Sequence, residues 1–516
     1  MHKPRIMFQG TASSVGKSVL VAGLCRILYE EGYKVAPYKS QNMSLNSYIT
    51  EEGKEMGRAQ VMQAEACGIK PHVLMNPILI KPTGDMKAQY IIEGEVAGDM
   101  TAMDYHKFKP ELKKKLKDLY KKLEESYEVI VLEGAGSPAE INLRESDLVN
   151  MGMAELIDAP VILIGDIDKG GVFASLAGTI MLLSEEERKR VKGVIINKFR
   201  GDIEILKPGL KMLEDIIHIP VLGVVPYFKL DLEDEDSVST IFEQRPVASH
   251  ETKLIIKIIR LPHLSNFTDF NRLFALEGVE VSYVDKAKDI LDADLVIIPG
   301  SKNTIEDLYF LKEEGFEVAL HELKEKGKTI FGICGGYQML GCKLLNPSQV
   351  ETSTTEVDGV GLLNIHTEFA TNKTMTQVKA AIVSDQGALS SSYNQLVEGY
   401  EIHMGQTIWH EENLIPFVEI RESLGNKETR IEGYHDQDAQ VFGTYIHGIF
   451  DKLGFTLPFL RALAVKKGLS EESIQMAGAN HTDYETFKES QYAQLANILR
   501  DSLDIEAIFK ILFENK

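Results

Sequence analysis

Two groups of residues in this chain have the types and spacing to do chemistry. The first centres on Cys334, in Gly332-Ile-Cys-Gly-Gly-Tyr-Gln338. A short β-prone run, Thr329-Ile-Phe, leads in, and Gln338-Met-Leu leaves at helical spacing. That places the thiol on a tight strand-to-helix turn. Small neighbours are needed there, because the backbone is strained and a substrate carbonyl must come close. A lone cysteine is more often a buried structural residue, but glycines on both sides argue for a nucleophile, and a helix N-terminus favours the thiolate. Such a nucleophile needs a histidine to shuttle its proton and donors for the oxyanion. His447, in Tyr445-Ile-His-Gly, is the expected partner, with His403 as the competing candidate. Backbone N–H groups near Gly300 and at Gly335 are the expected oxyanion hole.

The second group opens the chain. Residues 5–9 read as a strand, followed by Gly10-Thr-Ala-Ser-Ser-Val-Gly-Lys-Ser18 and an amphipathic helix to about residue 31. Strand, glycine-bounded loop, Lys-Ser and helix are the context of a phosphate-binding P-loop, here with five residues between Gly10 and Gly16 rather than four. Gly10, Thr11 and Gly16 would wrap the ATP phosphates, Lys17 would neutralise them, and Ser18 would hold Mg²⁺. Glu133, at the end of the apolar run 129–132, sits where a second magnesium ligand belongs. Lys39 begins Lys39-Ser-Gln-Asn-Met-Ser-Leu-Asn46, a lysine and several amides placed to bind a carboxylate or a phosphate.

The elements that must position these groups are apolar strands alternating with helices. Runs at 34–39, 129–132, 160–165, 191–197 and 220–226 each end in polar residues, as in Asp166-Ile-Asp-Lys-Gly-Gly171 and Asn197-Lys-Phe-Arg-Gly201. This is the pattern of a parallel, doubly wound sheet whose crevice lies along the strands' C-terminal ends. A second α/β unit begins near residue 253, with strands at 279–284 and 293–299 and then the cysteine strand. Residues 55–68 and 110–127 read as helices, the latter with a solvated Lys/Glu face. The expected class is α/β with two doubly wound domains. The expected division is 1–230 for ATP and amide-bond chemistry, 231–251 as linker, 252–450 around Cys334, and 451–516 as a helical extension.

A chain of 516 residues exceeds a single core. The formal net charge of -21 argues against nucleic acid or an anionic membrane as the main partner. Four cysteines, at 25, 67, 334 and 342, show no metal-type spacing and are too few for a disulfide scaffold. The chain starts directly on a strand, with no signal-peptide apolar region, and no run approaches the ~20 apolar residues of a membrane span. A reducing, cytoplasmic setting is expected. A homo-oligomer is left open.

Pro299-Gly-Ser, Gly332-Ile-Cys-Gly-Gly-Tyr-Gln338 and His447 resemble the class I (triad-type) glutamine amidotransferase domain. That resemblance implies that Cys334 attacks glutamine, ammonia leaves with a proton from His447, and water hydrolyses the thioester. The family's His-x-Glu is absent, since Gly448 and Ile449 follow the histidine. A Cys–His dyad is therefore expected, with another group fixing the imidazole tautomer. The first loop resembles the dethiobiotin-synthetase type, which implies that Asn197 reads the adenine edge. The dethiobiotin-type second metal carboxylate has no match, because the region near Gln60 offers an amide.

Taken together, residues 6 to about 450 resemble the cobyric acid synthase family of corrin amidotransferases. Its marks are the P-loop, Gln41-Asn-Met-Ser-Leu-Asn46, Glu133-Gly-Ala-Gly-Ser-Pro-Ala-Glu140, Asp166-Ile-Asp-Lys-Gly-Gly-Val-Phe173, Pro299-Gly-Ser-Lys-Asn-Thr304, the cysteine elbow and Gly443-Thr-Tyr-Ile-His-Gly-Ile-Phe450. The resemblance implies ATP- and glutamine-dependent amidation of the b, d, e and g carboxylates of adenosylcobyrinic acid a,c-diamide, giving adenosylcobyric acid. Acyl phosphates are the implied intermediates, and a protected route for ammonia is expected. The nearest rival is cobyrinic acid a,c-diamide synthase. A regulatory nucleotide-binding protein with a degenerate glutaminase-like module is a rival of another class.

Overall fold

The computed structural model describes residues 3–83, 87–232, 253–409, 414–476 and 484–514. The chain forms two compact units. The first comprises Met1–Ser44, Glu55–Ser239 and Phe487–Lys516, the second Leu45–Lys54 and Thr240–Thr486.

In the first unit a parallel sheet runs Val221–Pro226, Val191–Phe199, Val161–Asp166, Arg5–Gly10, Val129–Glu133, Val35–Tyr38. The three strands Arg5–Gly10, Val129–Glu133 and Val161–Asp166 are buried at every position. This is why they read as unbroken apolar runs instead of alternating ones. The helix Lys17–Glu30 covers one face, and its Leu20, Val21, Leu24 and Ile27 enter the core.

The second unit carries a mixed sheet. Its parallel half runs Val279–Val284, Leu254–Ile259, Leu295–Ile298, Thr329–Ile333, Val441–Thr444. An antiparallel half continues through Asn426–His435, Ile415–Ser423 and Ile365–Ile382, with Leu396–Trp409 paired to the last. The Cys334 strand therefore lies beside the strand that leads to His447. The C-terminal ends of Leu254–Ile259, Leu295–Ile298 and Thr329–Ile333 share one edge.

Four details differ from the sequence expectation. Residues 55–68 divide into a short strand, Glu55–Gly57, and a helix, Arg58–Ala66. The long Lys-rich helix begins earlier, at Ala102, because the Thr101 side chain caps it by accepting from Asp104 N–H. Leu45–Lys54, expected inside the first domain, is part of the second unit. The extension expected at 451–516 is split. The helix Leu453–Lys467 stays with the second unit, whereas Tyr492, Leu495, Leu499, Ile508 and Leu512 join the core of the first around Leu20 and Leu24. These apolar positions need a partner, and the helix Lys17–Glu30 offers one. The linker expected at 231–251 lies almost wholly outside the described residues.

Candidate active site

Cys334 occupies the turn between Thr329–Ile333 and Gly335–Met339 with φ 51° and ψ −108°, a left-handed backbone for a non-glycine residue. Strain of this kind persists only where the surroundings enforce it. They do so here: a Cβ on Gly336 would lie 1.9 Å from Ile298 O, and one on Gly332 2.7 Å from the Gly336 carbonyl. Cys334 N–H donates to Thr444 O at 2.8 Å, tying the elbow to the neighbouring strand. The thiol points to Ile402 O at 3.7 Å.

His447 is buried, and its Nδ1 meets Asp269 Oδ2 at 2.7 Å. The other carboxylate oxygen, Oδ1, accepts from Gly448 N–H at 3.0 Å. Asp269 thus fixes the Nδ1–H tautomer, leaving Nε2 buried and without a partner in bonding range. Burial lowers the imidazole's pKa, but Asp269 and then Cys334 outweigh it and push it to about 10. The expected dyad is therefore corrected: an acid does orient His447, and it comes from 178 residues upstream instead of two residues downstream. It sits on the single turn Phe267–Phe270, just beyond the C-terminal end of Leu254–Ile259. Polar Ser265-Asn266 and Thr268-Asp269 past a parallel strand end were the available signal.

His403, the competing histidine, bonds no acid among the described residues. Its Nδ1 bonds Gly405 O at 2.7 Å, its ring stacks on Tyr445 at 3.8 Å, and burial above all holds its pKa down to about 4. At the expected oxyanion hole, a Cβ on Gly300 would lie 3.0 Å from His447 Cε1, and one on Gly335 2.9 Å from Ser301 N. Both glycines therefore leave room that a side chain would take, Gly300 beside the His447 ring and Gly335 beside Ser301.

In the first unit, Gly16 has φ +89°, and a Cβ on it would meet Asn197 Nδ2 at 2.3 Å, so the loop needs glycine at that position. Asn197 braces the loop by donating from Nδ2 to Val15 O at 2.8 Å, and its Oδ1 is buried without a partner. Lys198 adds a second brace, from Nζ to Ser14 O at 2.5 Å and to Asp166 Oδ2 at 3.0 Å. Thr11 N–H donates to Ile164 O at 2.9 Å, anchoring the start of the loop. Lys17 Nζ reaches Ala12 O and Gly136 O, at 3.1 and 3.3 Å.

Glu133 ties the site together. Its Oε1 accepts from Ser18 Oγ at 2.9 Å and Lys39 Nζ at 2.8 Å, and its Oε2 from Gln63 Nε2 at 2.5 Å. Burial pushes this carboxyl up, but Lys39, Gln63 and Lys17 outweigh it and hold it below the ordinary carboxylate range. Sequence reasoning missed Gln63; the amide on Glu133 is Gln63, and Gln60 is buried with neither amide atom bonded.

Among the described residues no cluster of three or more His, Cys, Asp or Glu could cage a metal. One carboxylate beside a serine hydroxyl suits magnesium, which keeps waters and leans on substrate phosphates. Orphaned buried oxygens nearby point the same way. Gln63 Oε1, Gln9 Oε1 and Asn150 Oδ1 lack partners, and a Cβ on Gly134 would meet Asn150 Oδ1 at 2.2 Å and Gln9 Cγ at 3.2 Å. Such unpartnered acceptors are compatible with a hydrated cation beside Glu133. No described helix is long and apolar enough to cross a membrane.

Two family models match the chain. Residues 6–238 match the CobQ/CobB/MinD/ParA nucleotide binding domain, and residues 255–455 the CobB/CobQ-like glutamine amidotransferase domain. Among curated relatives, a cobyric acid synthase of Alkaliphilus metalliredigens is 54% identical over 98% of this chain and 99% of its own length. One from Clostridium botulinum is 53% identical over the same shares, and one from a Thermoanaerobacter species is 52% identical over 98% of each chain.

Proposed function

The chain belongs to the cobyric acid synthase family, and from that premise we propose that it converts adenosylcobyrinic acid a,c-diamide to adenosylcobyric acid by amidating the b, d, e and g carboxylates. It is a glutamine-hydrolysing ligase of cobalamin biosynthesis that uses ATP. The observation that carries the choice of substrate is the near full-length likeness to proteins of that one activity.

In the glutaminase half, the Cys334 thiolate attacks the glutamine side-chain carbonyl. A C–S bond forms, the C–N bond breaks, and His447 Nε2–H protonates the departing ammonia. Water then attacks the thioester, giving up its proton to His447, and glutamate leaves. Donors at Gly300 and Gly335 take the developing oxyanion charge. Asp269 keeps Nδ1 protonated and stabilises the imidazolium.

In the ATP half, a corrin carboxylate oxygen attacks the γ-phosphorus and ADP departs. Ammonia displaces phosphate from the acyl phosphate, because phosphate is a workable leaving group where oxide is not. The loop from Gly10 to Gly16 and Lys17 hold the phosphates, and Lys39 balances the charge of Glu133 or steers the acceptor carboxylate. Asn197 Oδ1, buried without a partner, would take the adenine amino group. Ser18 and Glu133 would hold Mg²⁺, which when bound supplies charge neutralisation on the transferring phosphoryl group.

Incubation with ATP, Mg²⁺, glutamine and each corrin, followed by mass measurement, tests the substrate. Addition of four amides to the a,c-diamide is expected. Amidation only of a corrin lacking the a and c amides would favour cobyrinic acid a,c-diamide synthase instead.

A further inference from the structure

The amide-rich stretch ending in Asn46 has a use that differs from ligand binding. The segments at Asn46 and Asn266 exchange hydrogen bonds in a closed clasp, each side chain accepting from the residue after the other: Phe267 N–H donates to Asn46 Oδ1 at 3.0 Å, and Ser47 N–H donates to Asn266 Oδ1 at 3.0 Å. Asn46, Ser47 and Asn266 are all buried. Buried side-chain amides that accept from a facing backbone fix that backbone, since losing either acceptor strands an N–H away from water.

What they fix is the turn that carries Asp269. Asn266 precedes Phe267–Phe270 with φ 52° and ψ 43°, its side chain makes no cap to that turn, and its carbonyl accepts from Asp269 N–H at 3.1 Å. A turn of four residues has little rigidity of its own. The same segment also reaches the other partner of the triad. Ser47 O accepts from Tyr400 Oη at 2.9 Å, and the Tyr400 ring lies nearly parallel to the His447 imidazole, 20° apart with centroids at 5.3 Å. Tyr400 and His447 further exchange backbone hydrogen bonds, at 3.2 and 2.9 Å. Ile49 packs with Tyr400 and Ile402, and the Ile402 carbonyl receives the Cys334 thiol.

We propose that Asn46 is a positioning residue of the glutaminase: with Ser47 it sets the turn that holds Asp269 against His447, although it lies within the stretch matching the nucleotide-binding family. The physical consequence is a link along the chain. Seven residues before Asn46, Lys39 bonds Glu133, and its carbonyl is tied through Asn76 to Gly57 N–H, just past the far end of the inserted segment. Leu45–Lys54 is thus continuous along the chain with the Lys39 segment on one side and Gly57 on the other.

This rests on the glutaminase reading, and its test separates the two. Asn46→Ala and Asn266→Gly each break one arm of the clasp; glycine keeps the left-handed backbone available at 266. Each is expected to lower kcat for glutamine hydrolysis about tenfold or more with KM for glutamine little changed. The alkaline limb of the pH profile should move to lower pH, since a loosened Asp269 raises the imidazole's pKa less. The double variant should be no worse than either single one, because one clasp is lost once. Amidation driven by added ammonium chloride should stay within about twofold of wild type, which also reports that the chain has folded. Unchanged kcat and pH limb in both variants would overturn the proposal, as would equal losses with glutamine and ammonia, the mark of a merely structural role. Cys334→Ser, run in parallel, tests the glutaminase reading itself: if it hydrolyses glutamine normally, that reading fails whatever the clasp variants do.

Discussion

At the scale of single residues, the chemistry divides into what is contiguous and what is assembled. Cys334, Lys17 and Glu133 were legible because each is announced by its own neighbours: glycines that a Cβ would drive into backbone, or a polar residue capping an apolar strand. Asp269 was hard to single out, because polar residues past a parallel strand end mark a site edge without separating an acid that orients a histidine from an ordinary turn residue. The missing His-x-Glu indicated only that some other group must orient His447. Its carboxylate at 2.7 Å from Nδ1 makes a definite prediction. Asp269→Asn should reduce glutamine hydrolysis by up to about 10⁴, the loss seen when a triad acid is neutralised, and leave ammonia-driven amidation intact. The sign of the pH effect follows from the charge. Asp269 helps raise the His447 pKa to about 10; removing it lowers that pKa, so the imidazolium that protonates leaving ammonia disappears at lower pH. The alkaline limb of kcat/KM for glutamine should move down. An unmoved limb with a full rate would contradict the assignment.

At the scale of elements, the parallel strands were read correctly since strands covered on both faces must be apolar throughout. The stretch 39–46 was read as binding a carboxylate or a phosphate through its lysine and amides, but one of those amides accepts from Phe267 N–H at the start of a turn, and composition cannot tell the two uses apart. The strand pair Asn426–His435 and Val441–Thr444 carries another feature invisible in sequence. Glu432 is wholly buried beneath the strand leading to His447, accepting from Tyr445 N–H at 2.6 Å and from the Thr444 hydroxyl. Burial, with the charge of nearby Glu401 adding to it, pushes its carboxyl up to about 8. An unfolded glutamate titrates near 4.3. Between those values the native protein binds the extra proton, so stability falls as pH rises through the window from about 4.3 to 8. Glu432→Gln keeps an acceptor for Tyr445 N–H without the titration. Its Tm should decline less between pH 5 and 8 than that of wild type in scanning calorimetry, a residual slope remaining from Glu351, raised by burial to about 7. A slope as steep as wild type's would show that Glu432 is charged in the native state.

At the scale of the whole molecule, the α/β class, the P-loop unit and the amidotransferase unit could be read from the order of motifs. The exchanges between units could not. Neither the second unit's claim on Leu45–Lys54 nor the first unit's claim on Phe487–Lys516 has a local signature. Each depends on which distant apolar or amide groups lack partners, as Leu499 fills the space that Gly23 leaves open, 2.3 Å from where a Cβ would stand. On the proposed reading the two units divide the labour: one would release ammonia from glutamine, and the other would activate a carboxylate with ATP. The direct measurement is amidation of the corrin a,c-diamide by Cys334→Ser, with glutamine and with ammonium chloride as alternative nitrogen sources, beside Lys17→Ala. The serine variant should make product from ammonium chloride at near the wild-type rate and none from glutamine, and the alanine variant should make none from either. Full glutamine-dependent amidation by Cys334→Ser, or loss of both activities in a folded protein, would contradict the account.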